Sequence, residues 1–245
     1  MELAGRAARF GNQILNIIAG ILTLLLFLYG AYCLWDTYMT GRGAFLSNDL
    51  LEYKPTPGQE ENPTLQELMA INPDVVGWLT VDDTHIDYPV VQGEDDMEYI
   101  NKDVYGQFAL SGSIFLSSVN SRDFTDPYSL VYGHHMANGA MFGDIIEFAD
   151  PAYFEAHTTG TLYLPEQTIP ITLFACVETS ASDPVVYNPQ AQEKDVSGLL
   201  SYLKENAVQY REIGVQSNDR IIGLSTCAEA ETNGRVIVFG RLESE

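Results

Sequence analysis

Residues 220–242 read RIIGLSTCAEAETNGRVIVFGRL, and this stretch carries the clearest indication of the fold. Two apolar runs rich in β-branched residues, 220–225 and 235–242, flank the polar segment 228–234. This pattern predicts two strands joined by a turn. Cys227 ends the first run and Arg235 begins the second. The sequence therefore predicts a thiol and a guanidinium at one rim of a β-sheet.

A third reactive side chain ends another apolar run, about ninety residues upstream of Cys227, in Tyr132-Gly133-His134-His135. Cysteine must lose its proton to attack a carbonyl carbon, and an imidazole can take up and return that proton. A fixed guanidinium can hold the negative charge that develops on the carbonyl oxygen. Cys227, His134 and Arg235 are therefore the predicted catalytic residues of an acyl-transfer site.

Two neighbouring residues compete for these roles. Arg241 lies six positions after Arg235 and so on the same face of a regular strand. His135 directly follows His134, and we expect it to point to the opposite strand face or into the loop. We favour Arg235 and His134, which the sequence places beside the ends of their runs.

The remaining pattern is that of a mainly β protein. Short apolar runs separated by turns predict eight strands, which favours a closed barrel or a sandwich. The runs are 75–81, 85–92, 113–116, 129–132, 160–164, 169–177, 220–225 and 235–242. Helical spacing of apolar residues predicts a short helix that begins at Asn62 and further helical stretches at 139–148 and 194–210.

The N-terminus carries an uncharged stretch, 14–35, rich in Leu and Ile. At about 1.5 Å per residue it is long enough to span a hydrocarbon core of about 30 Å. Arg6 and Arg9 precede it and aromatic residues cluster at its far end, which predicts a cytoplasmic N-terminus. The stretch exceeds the apolar region of a cleaved signal peptide, the competing interpretation.

These segments give a predicted domain organisation. We expect a cytoplasmic tail at 1–13, a transmembrane signal anchor at 14–35, an extracellular stalk at 36–61 and a catalytic domain at 62–245. The stalk prediction rests on the Gly and Pro residues and mixed polar composition of that segment. The protein is thus predicted in the cell membrane as a single-pass chain with its catalytic domain outside the cell.

Composition excludes one class of partner. The chain carries 12 Lys and Arg against 34 Asp and Glu, a net charge of −22. A phosphate backbone would be repelled by this charge, and no basic stripe with interleaved aromatic residues is present. Nucleic acid is therefore not a predicted partner.

The small number of cysteines argues against a disulfide framework, and the spacing of the acidic residues and histidines argues against a metal site. Cys176 and Cys227 follow the predicted anchor, and Cys176 in the run 169–177 is expected to be packed and inert; a disulfide between the two is the alternative. The acidic run 94–98 lacks the spacing of a calcium loop, and the adjacent pair His134 and His135 suits zinc poorly. No metal site is predicted.

The motifs together resemble a known family. Tyr132-Gly133-His134, Leu224-Ser225-Thr226-Cys227 and Arg235 resemble the sortases, the surface transpeptidases of Gram-positive bacteria. Further features resemble class B sortases: Trp78-Leu79, residues 86–92, Gly112-Ser113-Ile114-Phe115, Met141-Phe142 and a long helix between the strands that bear Cys176 and Cys227. The resemblance covers roughly residues 65 to 242. Ser117 departs from it, since many members carry Asp there.

The resemblance implies a fold. It implies a mainly β domain, a closed eight-stranded sortase-like barrel with an N-terminal helix. It also implies a long helix between the strands that bear Cys176 and Cys227. The predicted anchor is one further helix, which is N-terminal and transmembrane. A class C sortase is the less favoured assignment, because it usually has a lid motif and a second membrane segment, whereas this sequence ends at Glu245 after the last run.

The resemblance also implies an activity. Cys227 attacks a threonine carbonyl in the C-terminal sorting motif of a surface protein and holds it as a thioacyl intermediate. An amine of peptidoglycan or of a lipid-linked precursor resolves the intermediate, and no metal or organic cofactor is needed. His134 protonates the leaving amine, and Arg235 binds the substrate backbone or the oxyanion. By similarity, Ser225, Thr226 and Tyr187 are the predicted substrate-binding residues.

Other functions remain open from the residues alone. A secreted cysteine peptidase or cell-wall amidase would use the same cysteine and histidine with water in place of the amine. A pilus-assembling sortase would use the same chemistry on another acceptor. A membrane-tethered adhesin or scaffold would bury Cys227, and reaction of the folded protein with a thiol reagent separates that class from the enzymes.

Overall fold

The computed structural model describes residues 2–41, 48–136, 139–227 and 233–243. The chain divides into two compact units, Met1–Gly41 and Arg42–Glu245. The described part of the first unit is one helix, α1 (Glu2–Gly41). Its segment Arg9–Tyr38, which includes the predicted span 14–35, is long and apolar enough to cross a membrane. Large apolar side chains along it, such as those of Leu26 and Phe27, are exposed.

The second unit is built on one sheet that closes into a barrel. Its strands are β1 (Val75–Val81), β2 (Asp87–Val91), β3 (Ile114–Leu116), β4 (Tyr128–Tyr132), β5 (Thr159–Leu164), β6 (Gln167–Ser180), β7 (Gln209–Tyr210), β8 (Arg220–Cys227) and β9 (Gly234–Leu242). They are ordered β5-β1-β2-β3-β4-β8-β9-β6-β7, and a further pairing of β5 with β6 closes eight of them into a ring. The predicted closed eight-stranded barrel is confirmed.

The barrel is mixed in strand direction. β2 pairs in parallel with β3, and β4 pairs in parallel with β8, while the other pairings are antiparallel. Parallel neighbours need long crossover connections. The crossover from β4 to β8 contains much of the chain, so strands distant in sequence lie side by side.

Short helices connect and cover the strands. They are α2 (Asn48–Leu51), α3 (Pro63–Ile71), α4 (Pro151–Ala156) and α5 (Ser197–Asn206), with 3₁₀-helices at Glu98–Asn101, Gly143–Ala149 and Pro189–Gln192. The predicted N-terminal helix is confirmed as α3. The helix between the strands of Cys176 and Cys227 is also present, as α5.

Two predicted helical stretches differ from the structure. The stretch 194–210 contains α5, but Gln209 and Tyr210 form β7 and pair with Cys176 and Ala175 of β6. This pairing with a distant strand outweighs the local helical pattern. The stretch 139–148 yields a 3₁₀-helix that starts at Gly143, because Met141 adopts a φ of 55°, which an α-helix does not allow.

Alternation along β9 divides its apolar side chains between two cores. Val236, Val238 and Leu242 of β9 point into the barrel, whereas Ile237 and Phe239 point outward. The outward residues pack under α5 against Leu199 and Leu203. Each fully buried aliphatic side chain of this kind stabilises the fold by about 1.5–3 kcal/mol. The same alternation places Arg235 and Arg241 on the outer face, as predicted from their spacing.

Part of the segment predicted as a stalk lies against the barrel. Leu50 of α2 is buried in a cluster with Trp78 and Tyr99. Lys54 forms an ion pair with Asp87, whose other carboxylate oxygen accepts from the indole of Trp78 at 2.8 Å. The barrel therefore makes contacts with the chain from α2 onward, well before residue 62.

Candidate active site

Backbone register brings the three predicted catalytic residues together. Tyr132 of β4 pairs with Ser225 of β8, and the amide of Gly133 donates to the Ser225 carbonyl at 3.1 Å. His134 follows Tyr132 by two residues, as Cys227 follows Ser225. The same Cys227 pairs with Arg235 across β8 and β9. The three positions therefore lie side by side at one end of three adjacent strands.

The side chain of Cys227 lies outside the described part of the structure, as do residues 228–232 of the predicted turn. The position of Cys227 in the sheet is described by its backbone. It is the last residue of β8, which agrees with its expected place at a strand end.

A pocket of about 300 Å³ opens at this end of the strands. Its lining includes His134, Arg235, Ser225, Thr226, Tyr187 and Asp96. All the predicted catalytic and substrate-binding residues whose side chains are described thus share one cavity. Its size suits a few residues of an extended peptide.

His134 is half-buried and its Nε2 lies 2.9 Å from the main-chain carbonyl oxygen of Ile100. His135 instead forms an isolated β-bridge with Met141. Within the described part of the chain, its buried Nδ1 has no hydrogen-bond partner. His135 is not among the described residues that line the pocket, so the structure distinguishes the two histidines by position.

The two arginines of β9 have different surroundings. Arg235 lies at the pocket, where its Nη1 donates to the carbonyl of Gly234 at 2.9 Å. Arg241 lies at the other end of the strand, where its guanidinium binds Glu243 at 2.9 Å and faces Asp219 at 3.9 Å. Two carboxylates thus engage Arg241 far from the pocket, whereas Arg235 lines the pocket.

One wall of the pocket is aromatic. The ring of Tyr132 stacks on Phe115 with centroids 5.2 Å apart and on Tyr187 at 6.3 Å. The hydroxyl of Tyr187 forms a hydrogen bond with Ser225 Oγ at 2.8 Å. Burial, with Asp96 and Tyr187 nearby, raises the pKa of Tyr132, so its hydroxyl stays neutral and can act as a hydrogen-bond donor.

Sequence reasoning missed Tyr132 and Phe115 as pocket residues. A signal was available for Tyr132, because it precedes His134 by two residues, and side chains two positions apart in an extended chain lie on the same face. For Phe115 the signal was its place in Gly112-Ser113-Ile114-Phe115. The pairing of Phe115 with Tyr132 across β3 and β4 joins the two motifs at the pocket.

Thr226, predicted to contact substrate, is buried beside the pocket. Its hydroxyl has no hydrogen-bond partner among the residues that the structure describes. A buried hydroxyl without a partner costs free energy, about 1–3 kcal/mol on mutational scales. Ser225 and Tyr187, in contrast, form a hydrogen bond with each other at the pocket, whereas Thr226 pairs with Val236, whose side chain points into the barrel.

Two carboxylates of the acidic run 94–98 have partners within the protein. Asp96 accepts from the amide of Ser118 at 2.6 Å and from the hydroxyl of Ser117 at 3.1 Å. A carboxylate therefore lies beside Ser117, although another segment of the chain supplies it. Glu98 pairs with Lys102 at 2.9 Å. Across the described ranges, no group of three or more His, Cys, Asp and Glu side chains is arranged to hold a metal ion.

Cys176 is a free thiol inside the barrel, so it forms no disulfide with Cys227. Burial, assisted by the charge of Glu178, raises the pKa of Cys176 to about 12. The thiol therefore stays protonated at neutral pH and is a poor nucleophile. The prediction that Cys176 is packed is confirmed, and the raised pKa agrees with the expectation that it is inert.

Comparison with known proteins gives a consistent picture. Sortase B of Listeria monocytogenes is 32% identical over 185 residues, which cover 75% of this chain and 75% of the relative. The crystal structure of a Streptococcus pyogenes class B sortase involved in pilus biogenesis is 44% identical. It superposes with a TM-score of 0.68 and covers 73% of this chain and 97% of that one. The Staphylococcus aureus sortase B–substrate complex is 26% identical, with a TM-score of 0.70, and covers 76% and 87% of the two chains. No family model matches the chain.

Proposed function

Because this chain belongs to the class B sortases, which are cysteine transpeptidases, we propose that it cleaves the C-terminal sorting motif of surface proteins. It then transfers them to an amine of peptidoglycan or of its lipid-linked precursor. The observation that carries the proposal is the strand register, which pairs Cys227 with Arg235 and sets His134 beside them. A nucleophile, a proton carrier and a cation at one pocket are what acyl transfer requires.

The first half of the reaction forms an acyl-enzyme. The Cys227 thiolate bonds to the substrate carbonyl carbon, and the carbonyl π electrons move to oxygen. When the oxygen lone pair returns, the carbon–nitrogen bond breaks and the amine leaves with a proton from His134. The product of this half is a thioester on Cys227.

The second half releases the acyl group. An acceptor amine attacks the thioester carbon and loses its proton to His134. The carbon–sulfur bond then breaks, and the thiolate of Cys227 is restored. With water as acceptor the same steps give hydrolysis, so the acceptor decides between transfer and cleavage.

The other pocket residues bind and orient the peptide in this proposal. Arg235 donates to the substrate backbone or to the oxyanion, for which its planar fork of N–H donors is suited. Ser225, Thr226 and Tyr187 contact the sorting motif. Thr226 lines the pocket together with Ser225 and Tyr187, which supports its part in this.

Pilus assembly is the second candidate function. It is favoured by the 44% identity to the Streptococcus pyogenes class B sortase, which is involved in pilus biogenesis. In that role an amine of a pilus protein is the acceptor in place of a cell-wall amine. The chemistry at Cys227 is the same, so the acceptor identifies the function.

We further propose that α1 anchors the protein in the cell membrane as a single span. The N-terminus then lies in the cytoplasm and the barrel outside, because Arg6 and Arg9 precede the apolar segment. The proposed organisation is a tail at 1–13, a span at 14–35, an extracellular segment at 36–61 that packs on the barrel from α2 onward, and the catalytic domain at 62–245. The apolar, exposed surface of α1 supports this assignment.

The test compares two cysteine variants. We expect Cys227→Ala to abolish cleavage and transfer of peptides with a Pro-x-Thr core, because the nucleophile is lost. Cys176→Ala should retain both activities with lower stability. The measurement is mass spectrometry of the full chain and its products, with and without an added amine.

In this experiment the acylated peptide should be captured on Cys227 alone. Product that carries the amine identifies a transpeptidase, and hydrolysed product in the presence of amine identifies a peptidase or amidase. Full activity of Cys227→Ala would exclude the proposed mechanism.

A further inference from the structure

We propose that the main-chain carbonyl of Ile100 fixes the tautomer and ring orientation of His134. We also propose that Gly112 is the positioning residue that holds this carbonyl in place. The inference rests on the proposed function in one respect, that His134 carries the proton. It goes further by assigning which nitrogen does so: Nε2 is held by the carbonyl, and Nδ1 exchanges protons with the reacting groups.

The hydrogen bond itself determines the tautomer. His134 Nε2 lies 2.9 Å from the Ile100 carbonyl oxygen. A carbonyl oxygen has lone pairs and no proton, so the hydrogen of this bond belongs to Nε2. A neutral imidazole has one N–H group, which leaves Nδ1 with a free lone pair. Nδ1 is therefore the nitrogen that can accept the thiol proton.

The Ile100 carbonyl is held from both sides. It belongs to the 3₁₀-helix Glu98–Asn101, and the last carbonyls of a helix lack intrahelical partners. The carbonyl of Tyr99 accepts from the amide of Ser113 at 3.1 Å, and that of Asn101 accepts from the amide of Ala109 at 3.0 Å. The loop 109–113 thus binds the carbonyls on either side, and the middle one is directed at His134.

Gly112 is packed directly against this row of carbonyls. A Cβ atom at position 112 would lie 2.3 Å from the Ile100 oxygen and 2.9 Å from both the Ile100 carbon and the Tyr99 oxygen. All three contacts are with backbone atoms, which cannot rotate away as a flexible side chain can. Gly112 also has a φ of 60°, which favours glycine. Any side chain at position 112 must therefore displace the acceptor of the His134 bond.

This assignment gives a balanced proton path. Neutral His134 accepts the Cys227 thiol proton at Nδ1 and becomes an imidazolium, while its Nε2–H stays bonded to the Ile100 carbonyl. Nδ1 then gives the proton to the leaving amine as the carbon–nitrogen bond breaks. In the second half, Nδ1 takes a proton from the attacking amine as the carbon–sulfur bond breaks, and it returns this proton to the released Cys227 thiolate, so both groups regain their first state. The Ile100 carbonyl accepts from Nε2 throughout, so the ring keeps its orientation.

The chain offers a matched control for Gly112. Gly106 lies in the same connection between β2 and β3 and has a φ of 75°, but a Cβ there would meet no heavy atom within 4 Å. Gly106→Ala and Gly112→Ala therefore impose similar backbone strain, and the contact with Ile100 distinguishes them. Thermal unfolding of both full-length variants in detergent micelles measures the shared strain.

The first measurement is the kinetics of the two variants on a pool of peptides with a Pro-x-Thr core. General acid–base catalysis contributes about 10²–10⁴ in rate, and a misplaced imidazole loses part of it. We expect Gly112→Ala to lower kcat about 10- to 100-fold with KM within about twofold. Gly106→Ala should keep kcat within about twofold of the wild type. Equal kcat values for the two variants would overturn the role of Gly112.

The second measurement is independent of activity. Nitrogen NMR of full-length protein labelled at histidine reports the tautomer of each imidazole, and the His134 signals are identified by their loss in His134→Ala. We expect neutral His134 to carry its hydrogen on Nε2 in the wild type. Gly112→Ala should change the His134 signals, and Gly106→Ala should not. Should Gly112→Ala fail to fold, the wild-type tautomer decides, and a hydrogen on Nδ1 overturns the inference.

The two measurements separate this inference from the proposed function. Activity retained by His134→Ala would exclude the proposed mechanism whatever the tautomer. An inactive His134→Ala together with the Nδ1–H tautomer would leave the transpeptidase mechanism in place and exclude the role of the Ile100 carbonyl.

Discussion

Arg235 and Arg241 are both arginines on the outer face of β9, yet their side chains contact different groups. Arg241 is bound by Glu243 and lies near Asp219, so its positive charge is balanced within the protein. Arg235 lines the pocket and bonds a backbone carbonyl. At the level of single residues, position at the pocket, and not residue type, is what favours Arg235 over Arg241 in the proposed role of binding an anionic transition state.

We predict that Arg235→Lys is nearly as inactive as Arg235→Ala. Lysine keeps the positive charge but lacks the planar fork that donates two parallel hydrogen bonds to a backbone or oxyanion. Loss of one such donor typically costs about 10²–10³ in kcat. Peptide-cleavage kinetics of the purified variants give the measurement.

Arg241→Ala serves as the control for this series. It should lower stability and leave kcat close to that of the wild type, because its ion pairs lie at the other end of β9. An inactive, folded Arg241→Ala beside an active Arg235→Ala would show that the wrong arginine had been assigned.

We predict that His134→Ala loses about 10²–10⁴ in kcat, whereas His135→Ala keeps kcat within about tenfold. His134 lines the pocket, and His135 is held in a bridge with Met141. Steady-state cleavage and thermal unfolding should be measured together. Inactivity of both variants without loss of folding would mean that the loop as a whole, and not His134, is needed.

At the level of structural elements, the loop after β6 places Tyr187 at the pocket. The carboxylate of Asp183 holds this loop in position. Asp183 accepts from the amides of Val185 and Val186 at 2.9 and 3.0 Å. Its other oxygen accepts from the hydroxyls of Thr179 in β6 and Tyr202 in α5. Asp183 therefore joins a strand, a loop and a helix, and it fixes where Tyr187 lies.

These hydrogen bonds make the stability of the loop depend on pH. Burial raises the pKa of Asp183, but the bonds from Tyr202, Val186, Thr179 and Val185 lower it by more, so the net pKa is below the ordinary value. A depressed pKa contributes stability above the unfolded-state value of about 3.9, and the contribution is lost as pH falls through the folded-state value.

We predict that Asp183→Ala lowers the free energy of unfolding by about 1–2 kcal/mol at pH 7, a modest value because the carboxylate is partly exposed. The difference from wild type should shrink below about pH 4. KM for peptide should rise about 3- to 10-fold as Tyr187 loses its support, with kcat changed less. Urea unfolding at several pH values and steady-state kinetics test this.

Asp195→Ala is the matched control, since exposed Asp195 accepts from Ser197 at the start of α5 and has no bond to the loop of Tyr187. It should leave KM unchanged. A rise in KM for both variants would indicate that α5 as a whole, and not the Asp183 contacts, supports the pocket.

In the molecule as a whole, the segment before β1 is part of the folded barrel unit. Leu50 packs beside Trp78, Lys54 pairs with Asp87, and the side chain of Asn62 donates to the Leu164 carbonyl at 2.7 Å. These contacts tie α2 and α3 to β1, β2 and β5. The useful boundary of the catalytic unit for an experiment is therefore near residue 48.

We predict that a chain lacking residues 1–47 is soluble and keeps the stability of the barrel unit. A chain lacking 1–61 should be less stable by about 2–3 kcal/mol, because it loses the burial of Leu50 and the Lys54 ion pair. For a domain of this size the difference corresponds to a Tm lower by about 5–10 °C. Equal Tm values for the two truncations would mean that α2 contributes no stability.

Local sequence patterns were sufficient to predict the strands and the chemistry of the site. β1 occupies the predicted run 75–81, and the other seven predicted strands are present with ends shifted by a few residues. These predictions succeed because alternation and β-branched side chains act locally. The residue types of His134, Cys227 and Arg235 also indicate acyl transfer without any coordinates.

Features that depend on distant partners required the three-dimensional fold. Residues 209–210 continue a helical pattern, yet they form β7 because β6 offers backbone partners. Closure of the barrel requires β5 to meet β6. The acceptor for His134 is a main-chain carbonyl, and every residue has one. Sequence cannot indicate which carbonyl is used, because its position depends on the loop around Gly112 and not on the side chain of Ile100.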